Sequence, residues 1–261
     1  MQAFAFAGAD GYGRVMQLRL LSAALLPLAL MGCDLVESLG QGDQARSFPK
    51  PDRPVSGLGS NEYSTEDARD ERNEAESVMR LAEVAPGMRV ADIGAGEGYY
   101  TVRLADKVGA KGRVLAQDID REVLDRLGDR VVRERLDNVS IKLGAPEDPR
   151  LPENSFDRIF LVHMYHEVQE PYAFLWNMWP SLKRGGQVVV VDVDRKTDRH
   201  GIPPLLLSCE LEATGYRLVA FKDAPELDGY YAQFERAAKR PEPGQIEACK
   251  GSAPQPGGTA G

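Results

Sequence analysis

Val90-Ala91-Asp92-Ile93-Gly94-Ala95-Gly96-Glu97-Gly98-Tyr99-Tyr100 is the stretch on which the fold turns. Its first residues read as the end of a buried strand, and Tyr99-Tyr100 opens a segment that reads as a helix to about residue 108. Between them Gly94, Gly96 and Gly98 let the backbone turn sharply and pass close to a ligand without a Cβ in the way. In an open parallel sheet, ligands sit beyond the carboxyl ends of the strands, where this turn falls. A dinucleotide fingerprint, G-x-G-x-x-G/A, needs a small residue where Tyr99 stands, so that reading is disfavoured. No Gly-Lys-Ser/Thr follows, which excludes a phosphate-cradling P-loop.

Outward from the turn, the chain alternates between two periodicities. Residues 64–84 are expected to form a helix, with Ser64 and Thr65 as caps and Val78, Leu81, Ala82 and Ala85 as an apolar stripe before Pro86-Gly87. Strands are expected at 88–93, 112–119, 139–143, 156–162 and 187–193, and helices at 121–136, 172–182 and 204–214. Residues 216–222 and 229–235 read as a closing hairpin. This order implies an α/β, doubly wound, Rossmann-like seven-stranded sheet, mostly parallel with a C-terminal antiparallel hairpin, and helices on both faces.

The 261 residues carry 32 basic and 40 acidic side chains, a formal charge of −8. With 43% hydrophobic and 7% aromatic residues, neither a multi-span membrane protein nor a wholly disordered chain is implied. The acidic balance also argues against nucleic acid as a partner. The composition is uneven. Residues 20–31 (LLSAALLPLALM) are a short apolar run behind Arg14 and Arg19. A bilayer span takes about 20 residues; the run suits the core of a secretory signal.

Leu30-Met31-Gly32-Cys33 resembles a bacterial lipobox, so residues 1–33 are expected to be a signal peptide, with Met16 as an alternative start. A lipidated Cys33 would then hold an exported protein on the membrane, at the periplasmic face of the inner membrane given Asp34; the alternative is a cytoplasmic protein with an incidental cysteine. Gly- and Pro-rich residues 34–60 read as a flexible linker, 61–236 as the domain, and 237–261 as a disordered tail. The three cysteines, Cys33, Cys209 and Cys249, are too few for a disulfide scaffold; Cys209 and Cys249 could pair outside the cytosol, but with Cys249 in a tail that bond is not expected.

Acid-x-Gly-x-Gly-x-Gly after a first strand resembles motif I of the class I S-adenosylmethionine-dependent methyltransferases. The resemblance implies that Asp92, Gly94, Gly96 and Gly98 receive the methionyl part of S-adenosylmethionine, with Asp92 on its ammonium group. It further implies that Asp118, closing the second strand, holds the ribose hydroxyls, with Ile119 against the adenine. Residues 144–157 (GAPEDPRLPENSFD) resemble the family's stretch before the fourth strand, but Ala145 stands where many members carry an aspartate. Adenine recognition there falls to backbone groups and Glu147. Leu182-Lys183-Arg184-Gly185-Gly186 resembles the turn before the fifth strand, with Arg184 in place of a proline. The match runs in order over residues 79–234 and looks closest to bacterial members with an export signal. A cation at sulfur with no phosphate suits carboxylates rather than arginines.

Methyl transfer from a good leaving group is largely a matter of positioning, and needs a base only where the acceptor must lose a proton. His163, His166 and Glu167, in VHMYHEV after the fourth strand, are the candidate catalytic residues, two of them among the chain's three histidines. Each has a plain structural alternative as a brace for the following helix. His-x-x-His-Glu is not the zinc-hydrolase spacing, and no third acid or cysteine ligand stands nearby, so no metal is expected. Tyr99 and Tyr100 either line the cofactor site or pack; His200 lies in a loop. The expected acceptor is a small molecule. The competing readings are an exported lipoprotein that binds the cofactor without turnover, and a nicotinamide oxidoreductase, which Tyr99 makes poor.

Overall fold

The computed structural model describes residues 47–57 and 65–251. The proposed signal and lipobox, including Cys33, lie outside the described residues, as do most of the linker and residues 252–261. Seven strands, β1 (Arg89–Ile93), β2 (Arg113–Asp118), β3 (Val139–Leu143), β4 (Phe156–Val162), β5 (Leu182–Asp192), β6 (Tyr216–Ala224) and β7 (Gly229–Arg236), form one sheet in the order β3-β2-β1-β4-β5-β7-β6. The first five are parallel, and β7 runs antiparallel to both β5 and β6. The seven-stranded Rossmann-like expectation holds. The order reverses between β1 and β4, which places a crevice at the carboxyl end of β1.

The central strands are buried on both faces, and their alternation sorts two cores. Ile159, Leu161, Val188 and Val190 pack with Phe174 and Leu175 of α5 (Pro171–Met178) and Leu207 and Leu211 of α6 (Pro204–Ala213). Phe160, Val189 and Val191 point the other way, onto Val78 of α2 (Glu74–Leu81) and Leu104 of α3 (Tyr99–Val108). Each such side chain contributes roughly 1.5–3 kcal/mol by leaving water. A third, smaller cluster seats α4 (Arg121–Glu134) through Leu124 and Leu127 on Ala116.

Three expectations are corrected. The single helix over 64–84 is two, α1 (Glu66–Glu71) and α2, broken where Asn73 takes a left-handed φ of 53°. Strand β5 begins at Leu182 rather than 187, because Leu182 already pairs with Phe156 before an irregularity in register. The third correction is the largest: residues 47–57 and 237–251 are not linker and tail but part of the fold. Arg53 is buried against Glu210 at 2.8 Å, and Phe48 meets Trp176 edge-on. Trp176 donates its indole N–H to the Pro241 carbonyl (2.9 Å), the Arg240 guanidinium lies 3.6 Å over the Trp176 ring, and Cys249 is joined to Cys209. The backbones of Asp52 and Lys250 form an isolated parallel β-bridge, so the two segments also meet each other. Proline- and glycine-rich backbone lacks its own ladders, and here side chains of the body supply its partners.

Candidate active site

The glycine turn joins β1 to α3 with all three glycines in the left-handed region: φ is +67° at Gly94, +54° at Gly96 and +94° at Gly98. Their surroundings differ. A Cβ on Gly98 would lie 2.4 Å from Leu127, and one on Gly94 about 3.0 Å from the Met164 side chain. A Cβ on Gly96 would enter open space. Gly98 is therefore set by packing as well as conformation, while Gly96 faces open space at the carboxyl end of β1.

Two carboxylates flank the turn, each at the end of its strand. Asp92 is 4% exposed and accepts a hydrogen bond from Thr101 Oγ1 at 2.6 Å. Burial pushes its carboxyl up to about 6, against the Thr101 hydrogen bond and the nearby Arg69 charge. A buried acid of this kind gains most from a cation brought to it. Asp118 accepts from the Gly96 N–H (3.0 Å) through one oxygen, and from the Ile119 and Asp120 N–H groups (2.7 and 3.0 Å) through the other. It ties β2 to the turn and keeps further lone pairs for ligand hydroxyls. Ile119 is 36% exposed beside it, an apolar face left to the crevice. The Ala145 N–H is already given to the Asp148 carbonyl at 2.8 Å, so that backbone donor is not available to an adenine ring.

Tyr99 and Tyr100 pack. Their hydroxyls donate to Asp70 and Glu74, and Arg69 and Arg103 lie over the Tyr99 ring at 3.8 and 3.9 Å, fixing α1 and α2 onto α3.

The three candidate catalytic residues divide. His163 has φ 54° and donates its N–H to the Val191 carbonyl. Its Nε2 lies 3.6 Å from Glu74, a buried carboxylate that also receives Arg69 at 2.6 Å. Burial would raise the Glu74 pKa, but His163 and Arg69 hold it down at about 2, so it stays anionic. His166, fully buried, turns to Asp192 at the end of β5, with Nδ1 at 2.9 and 3.0 Å from its two oxygens. Glu167 lies 3.9 Å from His166 Nε2, and the His200 ring stands edge-on to the His166 ring at 5.7 Å. His166, Glu167 and His200 are thus assembled, and His163 belongs to a separate pair. The sequence reading missed Glu74, Asp192, Arg53 and Glu210. Only Asp192, an acid ending a β-branched strand, carried a local signal.

A methyltransferase domain model matches residues 91–190. The ubiquinone/menaquinone biosynthesis C-methyltransferase UbiE of Stenotrophomonas maltophilia (strain R551-3) is 30% identical, the match covering 67% of this chain and 68% of that relative. Among solved structures, an S-adenosylmethionine-dependent methyltransferase from Aquifex aeolicus is 25% identical with a TM-score of 0.58, covering 64% of this chain and 90% of that one. The [4+2]-cyclase SpnF, 17% identical with a TM-score of 0.56, covers 73% and 90% and shares the fold alone.

Proposed function

Since the chain belongs to the S-adenosylmethionine-dependent methyltransferases, we propose that it methylates a small-molecule acceptor entering at the carboxyl ends of β4 and β5. The cofactor supplies an electrophilic methyl group on a sulfonium. The observation that carries the reading is the turn itself: Gly96 opens onto the crevice, with Asp92 and Asp118 at the two adjacent strand ends. Asp92 takes the ammonium group, Asp118 the ribose hydroxyls, and Ile119 the adenine face. The absence of an aspartate at Ala145 leaves adenine held mainly by contact.

The named C-methyltransferase relative favours an acceptor whose nucleophilic carbon is activated by loss of a proton. His163, held in a left-handed conformation and oriented by the Glu74 carboxylate, is the group assigned to receive that proton. Calorimetry of the whole chain with S-adenosylhomocysteine tests the cofactor half. Asp92→Asn and Asp118→Asn each weaken binding at least tenfold with unchanged circular dichroism; no binding at millimolar ligand overturns the reading. Radiolabelled methyl transfer to a quinol probe tests the acceptor half. There His163→Gln lowers kcat while leaving cofactor affinity alone, and an unchanged kcat removes His163 from the reaction.

We further propose that the protein sits outside the cytosol. The Cys209–Cys249 pair supports that placement, because such bonds persist in oxidising compartments. Mass spectrometry of the native N-terminus expects an acylated Cys33; an intact Met1 or Met16 overturns it.

A further inference from the structure

Methyl transfer, as read above, leaves one assembly unused. We propose that His166, Glu167 and His200 form a binding site for a divalent first-row transition cation of the zinc class, with one coordination position left to a ligand. One donor atom from each of the three lies within 4.8 Å of the others. His166 Nε2 and His200 Nδ1 are buried nitrogens with no hydrogen-bond partner. Burying such a group unpaired is unfavourable by roughly 1–3 kcal/mol, and two converging on one carboxylate are a chemical request for a shared electrophile.

The tautomer is set for it. His166 gives its Nδ1 proton to Asp192, itself fully buried, which leaves the Nε2 lone pair facing Glu167 and His200. A carboxylate behind a histidine, fixing ring and tautomer, is the recurrent outer partner of a metal-bound imidazole. Charge agrees: Glu167 and Asp192 contribute two negative groups, whereas the nearby Arg53 is neutralised by Glu210.

The separations fit after a small movement. Tetrahedral zinc with nitrogen and oxygen donors at 2.0–2.1 Å implies ligand atoms about 3.4 Å apart, against 3.9 Å for His166 Nε2 to Glu167. His200 sits in the connection after β5, where its N–H donates to Ser56 Oγ at 3.1 Å, so closing the remainder falls to its side chain. Three protein donors with an open fourth position are the pattern of a reactive rather than a purely structural zinc site. The ligand class implied is a small molecule with one oxygen, nitrogen or sulfur donor atom. The third donor comes from a distant loop, which is why the sequence spacing suggested no metal. The inference does not rest on the assignment of the acceptor or of His163.

The test uses the full chain, stripped with chelator, and Zn2+ itself as the probe, followed by isothermal titration, with Co2+ for its visible absorption. The expected result is one ion per chain at micromolar or tighter affinity and a tetrahedral Co2+ spectrum. His200→Ala and Glu167→Gln, both on partly exposed residues, each weaken Zn2+ at least tenfold with circular dichroism unchanged. Asp192→Asn weakens it roughly 10–100-fold, and His163→Ala, which removes the remaining histidine, leaves it as it was. Failure of the folded wild-type chain to bind Zn2+, or affinity unchanged in both His200→Ala and Glu167→Gln, overturns the site.

Discussion

The two halves of the sheet's carboxyl edge are built by opposite rules. At β1 and β2, the turn, Asp92, Thr101 and Asp118 all come from one βαβ unit, and their geometry is set by backbone conformation and short-range hydrogen bonds. At β4 and β5, Arg53, His166, Asp192, His200, Glu210 and Cys249 come from nearly the whole described chain. The first half depends on which residues lack a side chain. The second depends on buried charge and a crosslink, so perturbing it should cost stability while sparing cofactor affinity.

The largest expected effect tests that division at Glu210. Its carboxylate accepts from Arg53 (2.8 Å) and from the Tyr165 hydroxyl (2.7 Å), with no exposed surface on the acid. Glu210→Ala leaves a buried guanidinium without its counter-ion, a loss of about 3–5 kcal/mol. Urea denaturation measures it, and replacing Arg53 by Met in the same chain should restore most of the loss. A change below about 1 kcal/mol would mean the strap over residues 47–57 is not closed in solution. The second effect comes from the Cys209–Cys249 bond, which closes a segment of 40 residues. Chain-entropy arguments give about 2–4 kcal/mol for its removal. Cys249→Ser should lower Tm while S-adenosylhomocysteine affinity holds, and a Tm indifferent to reductant would show the bond does not form.

These straps mark where sequence reading stops. Most strand positions and the glycine turn were legible because hydrophobic periodicity and glycine-rich turns are local properties. Residues 47–57 and 237–251 were misread for the same reason: proline and glycine signal loop, and nothing local says that Trp176 and Tyr172 wait for the Pro241 carbonyl and the Cys249 N–H. His163 and His166 looked alike in VHMYHEV. Only the tertiary fold sends one to Glu74 and the other to Asp192.

Within the glycine turn itself, the comparison sharpens between Gly98 and Gly96. Gly98→Ala meets Leu127 at 2.4 Å in a left-handed backbone and should destabilise by about 2–3 kcal/mol. Gly96→Ala carries only the conformational cost of a left-handed L-residue, about 1–2 kcal/mol, since its Cβ finds open space. Its loss should appear in S-adenosylhomocysteine affinity instead. Equal stability losses in the two variants would show that the crevice does not open at Gly96.

The smallest effect is a slope with pH, and it separates Asp92 from Glu74. Burial raises the Asp92 carboxyl to about 6 from an ordinary 3.8, so the folded chain holds this proton more tightly than the unfolded one. The sign follows: Asp92 opposes folding increasingly as pH rises from about 4 through 6, and folding alone favours its neutral form. The cofactor's ammonium favours the charged form. Binding below pH 6 must therefore expel the proton, and S-adenosylhomocysteine affinity should fall up to tenfold, about 1.4 kcal/mol, per pH unit between 6 and 5. Glu74, held at about 2, stays ionised across this window, so its own carboxylate neither takes up nor releases a proton there. Calorimetry at pH 5.5 in two buffers of different ionisation enthalpy should detect a proton released on binding, and Asp92→Asn should abolish it. A proton count unchanged by that substitution would move the ammonium to another carboxylate and detach Asp92 from the cofactor, leaving it a buried acid whose role is to receive the Thr101 hydroxyl.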